Sequence, residues 1–299
     1  MKLAHYSKNG NVRVGLVDKG MVYDLGAHNI SGSNAASGWM IDRILADRLL
    51  PSVREAEKTV QASKGISVDS VKLLSPVLNP EKIFLIAANY RSHRKEAHPE
   101  GVPAEPYFFT KFRNALIGPG DPVLVPRVSH QVDWEVELAV VIGRAGKNIA
   151  KTDAMSYVAG YAVANDISFR DLQFSTRMPD GNTALGLNWV KGKGLDSSLP
   201  LGPWLTTSDE VPNPHDLKIS LSVNGSMRQN STTGDMVFTI DSIIEYLSRG
   251  VTLRPGDIIS TGTPEGVGAF TGGPFLKDGD VLEGSIEKIG TLRNPVTAE

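Results

Sequence analysis

The stretch that decides the fold reads Asp133-Trp134-Glu135-Val136-Glu137-Leu138-Ala139-Val140-Val141-Ile142-Gly143. Its β-branched and large apolar residues predict a β-strand that ends at Gly143. Because side chains alternate between the two faces of a strand, the apolar residues at the even positions all share one face. The other face begins with Glu135 and Glu137 and continues with apolar residues. We therefore expect a strand that is buried on both faces at its far end and carries two carboxylates on one face at its near end.

Two interpretations of this carboxylate pair are open at this point. Carboxylates about 7 Å apart on one strand face repel each other, and neighbouring buried apolar surface makes them harder to ionise. A divalent cation between Glu135 and Glu137 would remove both penalties. The alternative is that this end of the strand is solvated and the pair is ordinary surface charge.

The composition is that of a globular protein with one large or two modest domains. The chain has 299 residues, of which 40% are hydrophobic and 21% charged. A net charge of −2 gives no electrostatic reason to bind nucleic acid or an anionic membrane, and there is no run of 18 apolar residues. The absence of cysteine excludes disulfides and thiolate chemistry, and is typical of a reducing compartment. With no targeting segment recognised near Met1, we expect a cytoplasmic protein that binds neither nucleic acid nor a membrane.

The order of predicted elements favours a β-rich α+β fold in two parts. Residues 1–75 combine short strands, joined by turns at Asn9-Gly10 and Lys19-Gly20, with two helices, the second beginning near Pro51. In residues 76–299 many short strands alternate with few helices, which argues against a doubly wound parallel sheet.

Three local predictions concern the second part of the chain. Thr152 is expected to cap a helix over residues 153–158. Residues 160–167 form an apolar strand that leads into Asn165-Asp166. Residues 181–194 are rich in glycine and are expected to form a loop.

Six motifs resemble the fumarylacetoacetate hydrolase superfamily in their order and spacing, over roughly residues 80–290. In chain order they occupy residues 89–96, 135–137, 165–171, 192–196, 200–204 and 261–268. Within the superfamily, the chain most resembles the fumarylacetoacetate hydrolase domain-containing protein 2 type. The resemblance implies a small α+β N-terminal domain, residues 1–75, followed by a catalytic domain with a mixed β-roll, residues 76–299. It also implies a homodimer.

The resemblance implies that Glu135, Glu137 and Asp166 bind a divalent metal ion, usually Mg²⁺ or Mn²⁺. The residue types agree, because three carboxylates without histidine or cysteine form an all-oxygen site that suits Mg²⁺, Mn²⁺ or Ca²⁺ and not Zn²⁺. Three protein ligands leave coordination positions for water and a chelating substrate. Asp166 alone would be read as a helix cap.

The resemblance further implies a lid dyad of His93 and Glu96 and an active-site lysine at Lys193. Residues i and i+3 share one side of a helix, so Glu96 can raise the basicity of the His93 imidazole and fix its tautomer. Such a pair suits a base that activates water, although without the resemblance it would be an ordinary solvated helix face. Lys193 could hold a substrate carboxylate or a developing enolate, and the neighbouring Lys191 is its rival.

Candidate substrate-binding residues are Thr263, Tyr90 and Arg91. The loop at residues 261–268 lacks the phosphate-loop pattern, so its backbone amides and Thr263 are better suited to a substrate carboxylate. A tight turn between strands explains its glycines equally well. Tyr90 and Arg91 are expected to line the site, with Tyr90 equally suited to the core.

The predicted function is that of a metal-dependent hydrolase acting on a small-molecule 2-oxo acid. It would cleave the C3–C4 bond of a 2,4-dioxo acid, such as an acylpyruvate or fumarylpyruvate, through a metal-stabilised enolate. Oxaloacetate decarboxylation or tautomerisation, and isomerisation or decarboxylation of the 5-carboxymethyl-2-hydroxymuconate type, share that enolate. The ligand set alone does not separate these reactions, and the lid dyad favours hydrolysis. A catalytically silent metal- or ligand-binding protein is a further alternative.

Two departures from the family pattern bear on the substrate. Phe112 stands where the family often has Pro, and Phe169 where it commonly has Ala. Because both replacements are large, we expect them to reshape a small pocket and to alter which substrate is accepted.

Overall fold

The structure is a computed structural model of the chain. It describes residues 1–28, 30, 40–97, 104–174 and 188–299. Within those ranges, no helix is both long enough and apolar enough to cross a membrane.

Strands dominate the described residues, and most helices are short. The strands are β1 (Lys2–Lys8), β2 (Asn11–Asp18), β3 (Met21–Asp24), β4 (Ile66–Ser67), β5 (Lys72–Leu73), β6 (Ile83–Ile86), β7 (Phe108–Thr110), β8 (Leu116–Ile117), β9 (Val123–Val125), β10 (Val132–Asp133), β11 (Val136–Ile142), β12 (Val158–Asn165), β13 (Ser168–Phe169), β14 (Leu199–Thr207), β15 (Lys218–Val223), β16 (Ser226–Thr232), β17 (Ile258–Ser260), β18 (Val281–Ile286) and β19 (Gly290–Ala298). The α-helices are α1 (Ile41–Ala46), α2 (Leu50–Gln61), α3 (Arg91–Ala97), α4 (Lys151–Ala154), α5 (Arg170–Gln173), α6 (Trp189–Lys193), α7 (Ile240–Ser248) and α8 (Gly268–Thr271). Short 3-10 helices cover Leu25–Ala27, Val68–Ser70, Arg113–Ala115, Met155–Tyr157, Ser208–Glu210 and Thr233–Asp235.

The strands form mixed sheets, which confirms the predicted β-rich α+β class. The largest sheet follows the order β4-β3-β2-β1-β14-β12-β11-β17-β6-β7, with β5 beside β1 and β8 beside β14. A second sheet has the order β16-β15-β18-β19-β9, and β10 pairs with β13. Most neighbouring strands are antiparallel, whereas β17–β6, β14–β8 and β19–β9 are parallel.

The first 75 residues share a sheet and a core with the rest of the chain. Strand β1 pairs with β14, with Leu3 opposite Leu205. The buried side chains of Leu3 and Ile41 belong to the same hydrophobic cluster as Ala139 and Val141 of β11. The two predicted parts are therefore continuous in the large sheet, and a domain boundary at residue 75 stays a prediction.

Strand β11 lies in the interior of the large sheet, between β12 and β17. All seven of its residues are buried, as expected for the far end of the opening stretch. The predicted strand is not continuous, however, because Trp134 and Glu135 separate β10 from β11. The Trp134 amide donates to the Asp133 carboxylate at 2.9 Å and the Glu135 amide donates to the side-chain oxygen of Asn165 at 2.9 Å. These two amides are thereby kept out of the strand ladder.

The predicted cap at Thr152 is wrong. Helix α4 begins at Lys151, so Thr152 lies in its first turn. The residue before the helix is Ala150, whose extended backbone (φ −67°, ψ 144°) occupies the N-cap position without a side-chain hydrogen bond. The helical turn then continues as the 3-10 helix at Met155–Tyr157.

The predicted glycine-rich loop ends in a helix. Residues 181–187 of that prediction lie outside the described residues. After them, α6 begins where the side-chain oxygen of Asn188 accepts a hydrogen bond from the Lys191 amide at 3.1 Å. Lys193 is therefore the last residue of a short helix, and not part of a loop.

Candidate active site

The structure brings Glu135, Glu137 and Asp166 together at one end of β11. Strands β11 and β12 are antiparallel, and Val136 lies opposite Asn165, so the start of β11 is next to the end of β12. One carboxylate oxygen from each of the three residues lies within 4.8 Å of the other two. Glu135 is 6% exposed and Glu137 is 2% exposed. The carboxylate pair is thus buried, and the interpretation as solvated surface charge does not hold.

Two basic residues neutralise Glu135 directly. Lys193 Nζ donates to Glu135 Oε2 at 2.8 Å and to Asp166 Oδ2 at 2.7 Å, and Arg170 Nη2 donates to Glu135 Oε1 at 2.5 Å. Burial raises the pKa of the Glu135 carboxyl, but attraction by Lys193 and Arg170 outweighs burial and holds this pKa well below its usual range. Glu135 is therefore an anion throughout the neutral range.

The other two carboxylates are less well compensated. Glu137 Oε2 accepts hydrogen bonds from Ser260 Oγ at 2.5 Å and from the Gly262 amide at 3.0 Å. Burial, reinforced by the charges of Asp166 and Glu135, raises the pKa of Glu137 well above its usual value. Burial also raises the pKa of Asp166, and this effect exceeds the attraction of the nearby lysines. A further positive charge at this position would favour the ionised form of both residues.

The donor set fits a hard divalent cation. Asp166 Oδ1 is buried and forms an ion pair with Lys111 Nζ at 2.9 Å. The same ammonium donates to the carbonyl oxygens of Ile167 (2.8 Å) and Ser198 (2.6 Å). Carboxylate oxygens from three buried residues, with no nitrogen or sulfur ligand among them, form the arrangement that Mg²⁺, Mn²⁺ or Ca²⁺ binds. Such ions sit about 2.0 to 2.6 Å from each oxygen, which the spacing of the three groups permits.

A cavity of about 200 Å³ opens onto these carboxylates. One part of its wall is charged or polar and includes Glu135, Glu137, Arg170, Gln173, Lys193, His93 and Thr263. Another part is aromatic and consists of Phe109, Phe174, Trp189 and Phe270. The rings of Phe109 and Trp189 stack with centroids 4.7 Å apart, and Lys193 Nζ lies 5.1 Å from the Phe109 centroid. The geometry also favours Lys193 over its rival, because Lys193 is 1% exposed at the cavity whereas Lys191 is solvent-exposed.

The predicted dyad of His93 and Glu96 lies on α3, with His93 in the cavity wall. His93 Nδ1 is 3.2 Å from Glu96 Oε2, and the Glu96 carboxylate also accepts a hydrogen bond from the Gly266 amide, at 3.2 and 3.3 Å to its two oxygens. The His93 ring contacts the ring of Phe270 edge to face at 5.7 Å. His93 is 7% exposed. The dyad is thus held between α3 and the loop that follows β17, and it is not a solvated helix face.

Of the three predicted substrate-binding residues, Thr263 is the one that lines the cavity. Its hydroxyl donates to the Val136 carbonyl at 2.9 Å and accepts from Gln229 Nε2 at 2.8 Å, so its proton is already engaged. Tyr90 is fully buried outside the cavity wall, and burial raises the pKa of its hydroxyl. Arg91 is exposed and donates to the Met236 carbonyl at 2.9 Å. The substrate roles of Tyr90 and Arg91 stay predictions that this arrangement does not favour.

The two unusual phenylalanines do not shape the cavity. Phe169 is fully buried in the core, and Phe112 is exposed just before the 3-10 helix at Arg113–Ala115. The aromatic residues that line the cavity are Phe109, Phe174, Trp189 and Phe270. The expectation that Phe112 and Phe169 reshape the pocket is therefore wrong, because Phe169 is buried in the core and Phe112 is exposed to solvent away from the cavity wall.

Sequence reasoning assigned no role to Asp133, Lys111, Arg170 or Gln173. Arg170 lies inside the motif at residues 165–171, and Lys111 precedes Phe112, one of the two positions that depart from the family pattern. The sequence therefore drew attention to both regions without giving either basic residue a role. Their contacts with Glu135 and Asp166 join residues 35 and 55 positions apart. No local pattern predicts pairs at that separation.

The fold and the site define the class of protein. A model of the fumarylacetoacetate (FAA) hydrolase C-terminal family matches residues 82–297. The chain therefore belongs to the fumarylacetoacetate hydrolase family, as its motifs indicated, and it is an enzyme of that family.

Within the family, two relatives belong by name to the fumarylacetoacetate hydrolase domain-containing protein 2 type. The chain is 40% identical to a Xenopus laevis protein named oxaloacetate tautomerase fahd2, mitochondrial, over 99% of this chain and 90% of that protein. It is 47% identical to fumarylacetoacetate hydrolase domain-containing protein 2 of Pongo abelii, over 76% of this chain and 69% of that protein. The mitochondrial location in the Xenopus name contradicts the expectation of a cytoplasmic protein. That expectation rested on the absence of cysteine and of a recognised targeting segment, and neither feature specifies one compartment.

Solved structures show the same fold. A fumarylacetoacetate hydrolase from Exiguobacterium antarcticum has a TM-score of 0.82 and 32% identity, and the match covers 100% of both chains. A maleylpyruvate hydrolase from Sphingobium sp. SYK-6, in complex with manganese(II) ion and pyruvate, has a TM-score of 0.79 and 32% identity over 100% of this chain and 99% of that chain. The family thus includes a manganese-binding member with a bound 2-oxo acid.

Proposed function

We propose that the protein is a divalent-metal-dependent tautomerase that interconverts the keto and enol forms of oxaloacetate. The observation that carries the proposal is the 40% identity, over 99% of the chain, to a relative named for that activity. The cavity supports it, because its carboxylates suit a metal ion and its cations suit an anionic 2-oxo acid. Cleavage of a C3–C4 bond, the first expectation from the sequence, becomes the second candidate.

Tautomerisation moves one proton between C3 and the oxygen on C2. A Mg²⁺ or Mn²⁺ ion held by Glu135, Glu137 and Asp166 would supply the Lewis acid that polarises the 2-keto group. His93 has one ring nitrogen beside Glu96, which leaves the other nitrogen as the base or acid for the proton at C3. Lys193 adds a positive charge beside the oxygen where negative charge develops. The buried position of these groups strengthens each of these interactions, since the local dielectric is low.

One feature of the site favours hydrolysis as the second candidate. The His93–Glu96 pair can activate water, and a structural relative with the same fold is a maleylpyruvate hydrolase. Hydrolysis needs a water molecule placed between His93 and a second carbonyl of the substrate. Tautomerisation needs no water, so the two reactions are distinguished by their products.

The test is a comparison of products with the same protein preparation. Protein loaded with Mn²⁺ or Mg²⁺ is given enol-oxaloacetate, and the ultraviolet absorbance of the enol is followed while total oxaloacetate and pyruvate are measured. We expect rapid equilibration of the two forms without loss of oxaloacetate. Acetylpyruvate and fumarylpyruvate are assayed in parallel. Cleavage of either compound without faster oxaloacetate equilibration would contradict the proposal and favour the hydrolase.

We also infer that the protein is a homodimer, as the family resemblance implies. Light scattering after size-exclusion chromatography should give twice the chain mass of 32.2 kDa. A mass equal to one chain at micromolar concentration would refute the dimer.

A further inference from the structure

Asp133 is a fully buried carboxylate that none of the roles above explains. Its Oδ1 accepts hydrogen bonds from the amides of Trp134 at 2.9 Å and Gly268 at 2.7 Å. Its Oδ2 accepts from the Ala269 amide at 3.0 Å and from Arg170 Nε at 2.8 Å. Four donors on one buried carboxylate fix its position and those of its partners.

These hydrogen bonds connect Asp133 to both functional parts of the site. On one side, Arg170 donates from Nε to Asp133 and from Nη2 to Glu135, so one guanidinium joins Asp133 to a predicted metal ligand. On the other side, Gly268 and Ala269 are the first two residues of α8. The next residue of that helix is Phe270, whose ring contacts His93.

We propose that Asp133 is a positioning residue that couples metal binding at Glu135 to the placement of His93. The inference rests on the proposed metal site. Asp133 holds Arg170 and α8 in one arrangement, in which Glu135 presents its carboxylate to the ion and Phe270 supports the ring of His93. Movement at Glu135 or at His93 is then transmitted through the hydrogen bonds that Asp133 accepts from Arg170 and Gly268, and through residues 268–270 of α8.

The charge of Asp133 determines whether its replacement strengthens or weakens Mn²⁺ binding. With Asp133 ionised, the Arg170 charge is shared between two carboxylates. Without it, that charge falls on Glu135 alone and opposes a cation bound there. Asp133→Asn keeps the size of the side chain but removes the charge, and its amide group faces Arg170 Nε with one acceptor fewer. The variant should bind Mn²⁺ about tenfold more weakly, at the low end of the effect of losing a partner that orients a metal ligand.

The matched control is Asp171→Asn. Asp171 lies on α5 next to Arg170, and its carboxylate accepts hydrogen bonds from Ser129 Oγ at 2.6 Å and from the His130 amide at 2.8 Å, away from the metal ligands. The same chemical change is therefore made one residue away from Arg170. Its Mn²⁺ affinity should stay within twofold of the unaltered protein.

The experiment measures Mn²⁺ affinity by calorimetry and backbone hydrogen exchange with and without saturating Mn²⁺, on the full chain. In the unaltered protein and in Asp171→Asn, we expect Mn²⁺ to slow exchange in both α8 and α3. In Asp133→Asn, saturating Mn²⁺ should no longer slow exchange in α3. Loss of a purely structural contact would raise exchange with and without Mn²⁺ and would leave the slowing by Mn²⁺ intact, which would overturn the inference.

The remaining outcomes are also decisive. An equal loss of affinity in Asp171→Asn would overturn the assignment to Asp133. Mn²⁺ binding to the unaltered protein without slower exchange in α3 would overturn the coupling but leave the metal site intact, whereas no Mn²⁺ binding would overturn the proposed function as well.

If Asp133→Asn does not fold, Phe270→Leu tests the contact between α8 and His93. Mn²⁺ should then still slow exchange in α8 but not in α3, and slowing in both would overturn the proposal.

Discussion

Replacing Lys193 with methionine tests the electrostatic balance of the site. The Lys193 ammonium is almost fully buried and lies within 2.8 Å of oxygens of both Glu135 and Asp166. Methionine keeps most of the apolar stem beside the ring of Phe109 but removes the charge. The two carboxylates are then left in a buried environment with Arg170 and Lys111 as the nearest cations.

The expected loss of stability in Lys193→Met follows from the burial of these ion pairs. Removing one partner of a buried ion pair costs about 3 to 5 kcal/mol, because the remaining charge loses its compensation. An unfolding entropy of about 2.1 cal/mol/K per residue gives about 0.6 kcal/mol/K for 299 residues. The melting temperature of the metal-free variant should therefore fall by about 5 to 8 °C.

The assay is thermal unfolding in chelator and in excess Mn²⁺. Mn²⁺ should narrow the gap between Lys193→Met and the unaltered protein, since a bound cation replaces part of the missing charge. Lys191→Met is the control, because that lysine is solvent-exposed two residues away, and it should melt within about 1 °C of the unaltered protein. Equal melting temperatures for Lys193→Met and the unaltered protein in chelator, or an equal fall in Lys191→Met, would refute the reasoning.

Two further predictions concern histidines. His5 Nε2 accepts a hydrogen bond from the Ile41 amide at 2.9 Å and Nδ1 is 3.1 Å from the Ser75 carbonyl oxygen, so the ring is neutral in the folded protein. Burial lowers the pKa of His5 from 6.5 to about 4. Between these values the unfolded chain binds more protons, so the free energy of unfolding should fall by about 3 kcal/mol as pH decreases through this window. Urea unfolding at several pH values should show this loss of stability in the unaltered protein and in the control His130→Gln, whose histidine is solvent-exposed. The loss should be much smaller in His5→Gln. An unchanged loss in His5→Gln would contradict the assignment of the pH dependence to His5. For catalysis, His93→Asn should lower kcat about 10²- to 10⁴-fold. Calorimetry should show a Mn²⁺ affinity within twofold of that of the unaltered protein. An unchanged kcat would exclude His93 as the proton carrier.

Much of the fold was predictable because it follows from local patterns. The alternation and apolar character of β11 predicted a strand buried on both faces, and all seven residues are buried. The turns at Asn9-Gly10 and Lys19-Gly20 were also correct, since all four residues adopt the positive φ that such hairpin turns require. Thr152 was wrong because residue type alone does not fix the first residue of a helix, and the extended backbone of Ala150 does.

The candidate site was predictable in its carboxylates and not in its cations. One strand that begins with acidic residues and another that leads into Asn165-Asp166 were visible in the sequence. The family order joined Glu135 and Glu137 to Asp166. The partners of these residues depend on tertiary packing. Lys193 is 58 residues from Glu135, and Asp133 is 135 residues from Gly268. Such pairs leave no periodic signal, so the ion-pair network required the three-dimensional structure.

The central claim is that tautomerisation depends on a divalent ion held by the three buried carboxylates. The most direct measurement is the rate of enol-oxaloacetate equilibration by chelator-treated protein as Mn²⁺ is added back. The comparison is with Asp166→Asn, which removes the charge of one of the three carboxylates. We predict that the unaltered protein loses activity in chelator and regains it in proportion to the Mn²⁺ bound, while Asp166→Asn has little activity with or without added Mn²⁺. Full activity in the metal-free protein, or an undiminished rate in Asp166→Asn, would contradict the account.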